Sequence, residues 1–237
     1  MKGKIYLIPT PLGENALHTI PSYVIEIIHS LNVFIVERAK VSRHFIKETN
    51  PPYPLSILTI FELDQEKLDM QLVDYQEVKR LLEDGRNIGL MSDAGCPGVA
   101  DPGAKVISWA HKQGFEVMPL VGPSSILLAL MGSGMNGQSF AFQGYLSAKR
   151  EDLGKELKRL EDLSKRLNQT QIFIEAPYRN RQVIDTALKS LGAQTKFCIA
   201  ADISLPPQYL VTKTVAEWQK TTIPDLHKHA AIFLIGN

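Results

Sequence analysis

Ser92-Asp93-Ala94-Gly95-Cys96-Pro97-Gly98-Val99-Ala100-Asp101-Pro102-Gly103 places three glycines, two prolines and two aspartates between an apolar run and a helical one. Before it, Asn87-Ile88-Gly89-Leu90-Met91 is short and apolar and reads as a buried strand. After it, Ala104 to Gln113 has helical spacing, with Pro102 suited to a first turn. The segment therefore sits at a strand's carboxyl end, where small ligands bind in open α/β sheets because backbone groups and loop side chains converge on a crevice. Gly95, Gly98 and Gly103 let the main chain take positive φ or approach a ligand closely. A tight βα connection built from turn formers is the competing reading. Twelve residues is long for such a connection, which shifts the weight toward a ligand loop.

Working outward, β-branched apolar runs recur at Ile5 to Ile8, Val33 to Val36, Ile57 to Ile60, Ile88 to Met91 and Phe115 to Leu120. Between them lie helix-like stretches at Pro21 to His29, Val41 to Lys47 and Lys67 to Leu82. Strands alternating with helices imply βαβ units, so residues 1–118 read as an N-terminal α/β domain with a parallel sheet. Pro119-Leu120-Val121-Gly122-Pro123 reads as a hinge. Beyond it come a helix at Ser124 to Met131, the glycine-rich Gly132 to Gly137, a charged helix at Glu151 to Asn168, a strand at Gln171 to Ile174 and a helix at Arg181 to Leu191. Strands at Lys196 to Ala200, around Tyr209 to Val211 and at Ala231 to Ile235 follow one another, so residues 119–237 read as a C-terminal α/β domain with a mixed sheet. No internal repeat or low-complexity tract interrupts the pattern.

The composition bounds the function classes. With 237 residues, 44% apolar, the chain can bury a full core as one large domain or two small ones. A net charge of +1 argues against a broad electrostatic footprint for nucleic acid and leaves a local basic patch open. Cys96 and Cys198 lie far apart with no CxxC or Cys/His spacing, so no metal site and no disulfide framework is expected. Ile5-Tyr6-Leu7-Ile8 runs into Pro9, far short of a signal peptide's apolar region or a membrane span. The expectation is a soluble cytoplasmic protein with no membrane association.

Three Gly/Pro loops follow expected strands: Pro9-Thr10-Pro11-Leu12-Gly13, the Ser92 to Gly103 segment, and Val121-Gly122-Pro123-Ser124-Ser125. None of the three loops carries GxGxxG or a Walker loop with its lysine, so the ligand is not expected to be gripped by its phosphates. A sulfonium or amino-acid-like ligand needs backbone carbonyls, a hydroxyl or two and a carboxylate for its amino group. Asp93 can supply the carboxylate and Ser124 or Ser125 the hydroxyls; an Asx-turn role for Asp93 and a helix-cap role for Ser124 remain open.

Together the motifs resemble the tetrapyrrole methylase superfamily of S-adenosylmethionine-dependent methyltransferases, most closely its ribosomal RNA 2′-O-methyltransferase branch, the RsmI family. The resemblance spans nearly the whole chain. It is carried by Ile8-Pro9-Thr10-Pro11-Leu12-Gly13, Met91 to Gly98 with Asp101-Pro102-Gly103, Pro119 to Ser125, Phe142-Gln143-Gly144-Tyr145-Leu146, and Glu175-Ala176-Pro177-Tyr178-Arg179. It implies two α/β domains with a cofactor cleft between them, S-adenosylmethionine as cofactor and a homodimer. It also implies cofactor contacts from Pro11, Leu12 and Gly13, from Asp93, Gly95, Cys96 and Gly98, from Ser124, Ser125 and Ile126, and from the backbone near Ala176. Ribosomal RNA or the small ribosomal subunit is the implied partner.

The acceptor side departs from that branch. Its Glu-Asp-Thr-Arg is Glu37-Arg38-Ala39-Lys40 here, with Arg43 keeping a further basic position. Its Arg-Glu-Leu-Thr-Lys becomes Ala201-Asp202-Ile203-Ser204-Leu205, and its Gly-Asn-Leu becomes Gly13-Glu14-Asn15. In the fifth motif Ala176 and Tyr178 replace its usual Ser and His. Methyl transfer from a sulfonium is an in-line displacement needing alignment, and a base when the acceptor is a hydroxyl. Glu37 and Asp202 are the candidate base or acceptor anchor, and Lys40 the candidate cation for phosphate or alkoxide. The bland reading of Glu37 is a surface ion pair with Arg38, Lys40 or Arg43.

Other features read as structural. Lys149, Arg150, Lys155, Lys158, Arg159 and Lys165 alternate with Glu151, Asp152, Glu156, Glu161 and Asp162, the pattern of a solvated helix with i,i+4 pairs, although its cations could touch RNA phosphates. Cys96 has no histidine in its motif and reads as a lining residue. His227 and His229 offer too few ligands for a metal, and Trp109 and Trp218 read as packing. The expected function is 2′-O-methylation of a ribose in small-subunit ribosomal RNA. Methylation of a tetrapyrrole or other small molecule, and a non-catalytic cofactor-binding or interaction role, are the alternatives.

Overall fold

The computed structural model describes residues 1–64, 69–147, 149–206 and 208–237, without the side chains at 72, 73, 150 and 151. The backbone divides into two units, Met1–Ser124 and Ser125–Asn237.

The first unit is built on a wholly parallel sheet of β1 (Lys4–Leu7), β2 (Val33–Val36), β3 (Thr59–Glu62), β4 (Ile88–Met91) and β5 (Glu116–Pro119), in the order β3-β2-β4-β1-β5. Helices α1 (Ser22–Ser30), α2 (Ala39–Glu48), α3 (Leu72–Glu83) and α4 (Ala104–Lys112) carry the crossovers. Every residue of β2 and β4 is buried, as central parallel strands covered on both faces require. Val33, Ile35, Ile88 and Leu90 pack with Val78, Leu82, Val106 and Ala110 of α3 and α4. Phe34, Val36 and Met91 pack with Val24, Ile28, Phe45 and Ile46 of α1 and α2. Two helices on each face make the expected doubly wound sheet.

Two of the boundaries that differ from the sequence reading have a clear local cause. The run Ile57 to Ile60 begins as a 3-10 turn, Leu55–Ile57, behind Pro54, and pairing starts only at Thr59, whose N–H donates to Asn32 O at 2.9 Å. Of the helix expected from Lys67, residues 67 and 68 lie outside the described residues. Asp69 is in a backbone bridge to Asp64, so the helix begins at Leu72.

The second unit is a mixed sheet of β6 (Phe140–Tyr145), β7 (Thr170–Glu175), β8 (Lys196–Ala201), β9 (Tyr209–Thr214) and β10 (Ala231–Gly236), ordered β6-β7-β10-β8-β9. Only β6 and β7 pair in parallel. Its helices are α5 (Ser125–Ser133), α6 (Arg150–Leu167), α7 (Asn180–Ser190) and the single turn α8 (Val215–Trp218). Leu153, Leu157 and Leu160 of α6 and Val183 and Ala187 of α7 cover Phe173, Phe197, Phe233 and Trp218. Helix α5 lies against β9 and β10, with Gly132 so near Leu210 that a Cβ would fall 2.4 Å from Leu210 Cδ1. Strand β6 escaped the sequence reading because its register slips between Phe142 and Tyr145, around a Gly144 at φ 69°. The charged helix α6 is not solvated all round. Glu161 is 1% exposed and accepts from Lys158 at 2.7 Å, Lys165 at 3.1 Å and Gly192 N–H at 2.7 Å.

Candidate active site

Five parallel strands bring all their carboxyl ends to one edge of the first sheet, and strand order decides what meets there. The chain leaves β1 through α1 toward β2 on one side and leaves β4 through α4 toward β5 on the other. β1 and β4 are neighbours, so adjacent strand ends send their chains in opposite directions and open a crevice outside them. Pro9–Gly13 follows β1 and Ser92–Gly103 follows β4, while the segment after β5 runs beside β1.

The three loops are joined by specific contacts. Thr10 and Gly95 form an antiparallel bridge, with Thr10 N–H donating to Gly95 O at 2.9 Å and Gly95 N–H to Thr10 O at 3.1 Å. Thr10 Oγ1 donates to Ser92 O at 3.3 Å, and the Cys96 thiol to Pro123 O at 3.4 Å. Gly122 packs on Pro9 so closely that a Cβ would come within 2.1 Å of its Cγ. Gly95 adopts φ 82°, and a Cβ there would sit 3.4 Å from Leu12 Cδ2. The Ser92–Gly103 segment folds back on itself through Gly98 N–H to Pro102 O at 3.1 Å, and holds the non-glycine Ala100 at φ 62°. Such left-handed backbone at a non-glycine residue is strain of the kind kept at ligand sites.

Acidic groups collect beside this junction. Glu37 follows β2, the other neighbour of β4, and its Oε2 accepts Asp93 N–H at 3.0 Å. Arg38 Nε pairs with Asp93 Oδ2, and the Arg38 charge also acts on the Glu37 carboxylate. Asp93 Oδ1 is buried and has no hydrogen-bond partner among the described residues. Burial, backed by the neighbouring charge of Glu37, pushes the Asp101 carboxyl up to about 6. Burial also raises the Glu37 carboxyl, and burial together with Asp101 raises the Cys96 thiol. Cys96 is thus a protonated wall residue. Sequence reasoning passed over Asp101; its signal was a second carboxylate inside one ligand loop. Lys40 in the first turn of α2 and Arg43 one turn on are exposed and, among the described residues, make no ion pair.

The remaining candidates are Ser124, the last residue of the first unit, and residues of the second unit. Ser124 immediately precedes α5, Ser125 opens it and Ile126 is buried in it. Ala176 follows β7, its N–H donating to Glu175 Oε1 at 2.8 Å, and leads into the turn Pro177–Arg179. Arg179 reaches back to Glu175 at 3.3 Å and to Ser147 O at 3.0 Å. Asp202 follows β8, and its carboxylate pairs with His229 Nδ1. The sequence reading set His229 aside. Only the β8–β10 register brings the pair together, matching Ala201 with Ala231 and letting Asp202 N–H donate to Ala230 O at 3.0 Å.

A buried carboxylate oxygen without a donor, beside glycine-lined backbone and with no phosphate loop, fits an amino-acid-like ligand bearing an ammonium group. Among the described residues no group of three or more His, Cys, Asp or Glu is placed to hold a metal, and no helix is long and apolar enough to cross a membrane.

No family model matches the chain. Curated proteins do: it is 30% identical over 240 residues to "Ribosomal RNA small subunit methyltransferase I" of Mesorhizobium japonicum, which covers 98% of this chain and 71% of that protein. The chain belongs to the ribosomal RNA small subunit methyltransferase I family. Its Bacillus subtilis relative of the same name is 28% identical over 215 residues, 91% of this chain and 68% of that protein. The Thermotoga maritima relative is 25% identical over 221 residues, 92% and 93% respectively. The chain thus spans about two thirds of the length of several curated relatives, 65% for that of Vibrio cholerae and 61% for that of Halalkalibacterium halodurans, and nearly all of the Thermotoga protein. As a member of this family the protein is a methyltransferase. Solved structures share the fold: the methyltransferase CobJ (TM-score 0.63, 17% identity, 99% of this chain and 94% of that one) and diphthine synthase (0.68, 13%, 98% and 89%). Uroporphyrin-III C-methyltransferase of Thermus thermophilus, solved with S-adenosylhomocysteine, shares it too (0.54, 14%, 99% and 98%).

Proposed function

We propose that the protein moves a methyl group from S-adenosylmethionine to a ribose 2′-hydroxyl of small-subunit ribosomal RNA. Family membership supplies the reaction class, and the observation that carries the site is the unpartnered, buried Asp93 Oδ1 at the junction of the loops after β1 and β4. That oxygen suits the cofactor's amino group, while Pro11, Leu12, Gly13, Gly95, Cys96 and Gly98 form the wall around it. By the resemblance, Ser124, Ser125, Ile126 and the backbone at Ala176 complete the contacts. The bound cofactor supplies an electrophilic methyl on a sulfonium. The chain's own work is to align the acceptor with that methyl and to take up the hydroxyl proton. Glu37 braces the loop by accepting Asp93 N–H. Lys40 and Arg43, exposed at the same sheet edge, are placed to hold RNA phosphates.

The protein works in the cytoplasm as a homodimer in this reading. The free thiols of Cys96 and Cys198 suit a reducing compartment, and the exposed apolar Leu127 and Met131, one turn apart on α5, suit self-association. A small-molecule acceptor is the second reading, favoured by the absence of any cation in Ala201–Leu205. Mass spectrometry of ribose-methylated nucleosides in small-subunit RNA, from cells with and without the gene, separates the two. Loss of one such nucleoside supports the RNA reading, and an unchanged set removes it.

A further inference from the structure

We propose that Arg38 grips the carboxylate at the methionine end of S-adenosylmethionine while Asp93 Oδ1 takes the ammonium beside it; this rests on the role given to Asp93 above. Arg38 Nε is spent on Asp93 Oδ2, and neither terminal guanidinium nitrogen makes a hydrogen bond among the described residues. A guanidinium presents its donors as a planar fork that matches a carboxylate, and here the end of the fork stays open on a side chain that is 58% exposed. Asp93 Oδ1 is buried and lacks a donor. An α-amino acid carries its ammonium and carboxylate on one carbon, so the groups that hold them must be neighbours, as the paired Arg38 and Asp93 are.

The first unit alone sets this arrangement. Glu37 N–H donates to Met91 O at 3.3 Å, Ala39 N–H to Glu62 Oε2 at 2.9 Å, and Arg38 O accepts Ser42 N–H at 3.1 Å. The Arg38 backbone is thereby held on both sides, extended at φ −132° and ψ 118° just before α2. Asp93 is held in turn by its N–H to Glu37 Oε2 at 3.0 Å. β2 and β4 are neighbours in the sheet, so the residues that follow them meet at one edge. The pairing with Asp93 also orders the guanidinium before a ligand arrives, which reduces the side-chain freedom lost on binding.

Charge favours a zwitterion over a plain anion such as an RNA phosphate. Glu37 and Asp93 act on each other, and both act on Asp101, beside the Arg38 guanidinium. An anion entering among these carboxyl groups is repelled unless it brings a cation of its own. A zwitterion does, and sets that cation on Asp93 Oδ1. Lys40 and Arg43, exposed and without an ion pair among the described residues, are left for phosphates. The Glu-Asp-Thr-Arg pattern noted above has an aspartate where this chain has Arg38, so the grip belongs to this chain. Its sequence neighbours placed that change on the acceptor side; the contact with Asp93 moves it to the ligand loop.

The test is calorimetry on the whole protein with three ligands: S-adenosylhomocysteine, its decarboxylated analogue, which keeps the amine but lacks the carboxylate, and methylthioadenosine, which lacks both. Arg38→Gln should weaken S-adenosylhomocysteine about tenfold or more. The same variant should bind the decarboxylated analogue as well as wild type does or more tightly, because Asp93 then meets the amine without a competing cation. Asp93→Asn should weaken both amine-bearing ligands and leave methylthioadenosine within about twofold. Equal losses for S-adenosylhomocysteine and the decarboxylated analogue in Arg38→Gln would mean that Arg38 only steadies Asp93, and would overturn the assignment. So would an unchanged S-adenosylhomocysteine affinity accompanied by weaker binding of small-subunit RNA, which would put Arg38 on phosphates. If Asp93→Asn costs both amine-bearing ligands and Arg38→Gln costs neither, the Asp93 reading stands and the Arg38 assignment alone fails. A wild type that binds methylthioadenosine as tightly as S-adenosylhomocysteine defeats the Asp93 reading, and the Arg38 assignment falls with it.

Discussion

Asp93 and Glu37 are tied together through the backbone: the Asp93 N–H, not its side chain, donates to Glu37 Oε2 at 3.0 Å. Replacing the Asp93 side chain therefore leaves this brace intact and removes only the exposed pairing with Arg38, whose side chain is 58% exposed, and the unpartnered Oδ1. Asp93→Ala should melt within about 2 °C of wild type without ligand, since a lost surface pair amounts to a few tenths of a kcal/mol. Its affinity for S-adenosylhomocysteine should fall about tenfold or more. Paired thermal melts and calorimetry check this, and a comparable loss in both would mark Asp93 as a turn residue.

Gly95 bridges Thr10 at φ 82°, with Leu12 and Pro123 O around the position a Cβ would take. Gly95→Val forces a β-branched residue into left-handed backbone, a cost of about 1–3 kcal/mol. The variant should melt lower and bind S-adenosylhomocysteine at least tenfold more weakly, because the same shift opens the bridge between the two loops. A variant that melts lower but binds normally would separate the bridge from the ligand site.

The Asp101 carboxyl is pushed up to about 6 by burial and by Glu37. A folded pKa above the ordinary carboxylate value means that ionisation works against the fold. Its stability contribution is complete below about pH 4 and is lost as pH rises through about 6. Asp101→Asn should therefore be indistinguishable from wild type near pH 4 and more stable near pH 8. The gain should be about 1 kcal/mol, the full shift being discounted for the solvent that reaches this half-buried group. Denaturant melts at the two pH values read it directly.

Glu161 is held well below the usual range, at about 2, by its bonds from Lys158, Thr195, Gly192 and Lys165, which outweigh the cost of burial. With the folded pKa depressed, the stability is present above about pH 4.5 and is lost as pH falls through about 2. Glu161→Gln should cost about 2–3 kcal/mol at pH 7, and the gap to wild type should narrow steadily below pH 4. A gap independent of pH would mean that packing, not charge, is what Glu161 contributes.

How much of this was legible in the sequence depends on distance along the chain. Val33 to Val36 and Ile88 to Met91 announced themselves as fully buried parallel strands because both faces are covered, leaving unbroken apolar runs. The meeting of the Pro9, Ser92 and Val121 loops followed from βαβ logic, since parallel strands deliver their loops to one edge. Phe140–Tyr145 hid as a strand because a register slip and Gly144 break its alternation. Asp101 was in view yet unread, since its perturbation comes first from burial in the folded loop and then from Glu37, sixty-four positions earlier. The pairing of Asp202 with His229 was beyond reach, because an antiparallel register between two strands has no signature in either residue's neighbourhood.

The most direct test incubates the purified protein with tritium-labelled S-adenosylmethionine and small ribosomal subunits, then digests the RNA to nucleosides and locates the label. The account predicts label in a 2′-O-methylated nucleoside, and about tenfold less of it when Asp93→Ala replaces the wild type at cofactor concentrations below saturation. Label on a base, or no label in RNA from a protein that binds the cofactor, would contradict it.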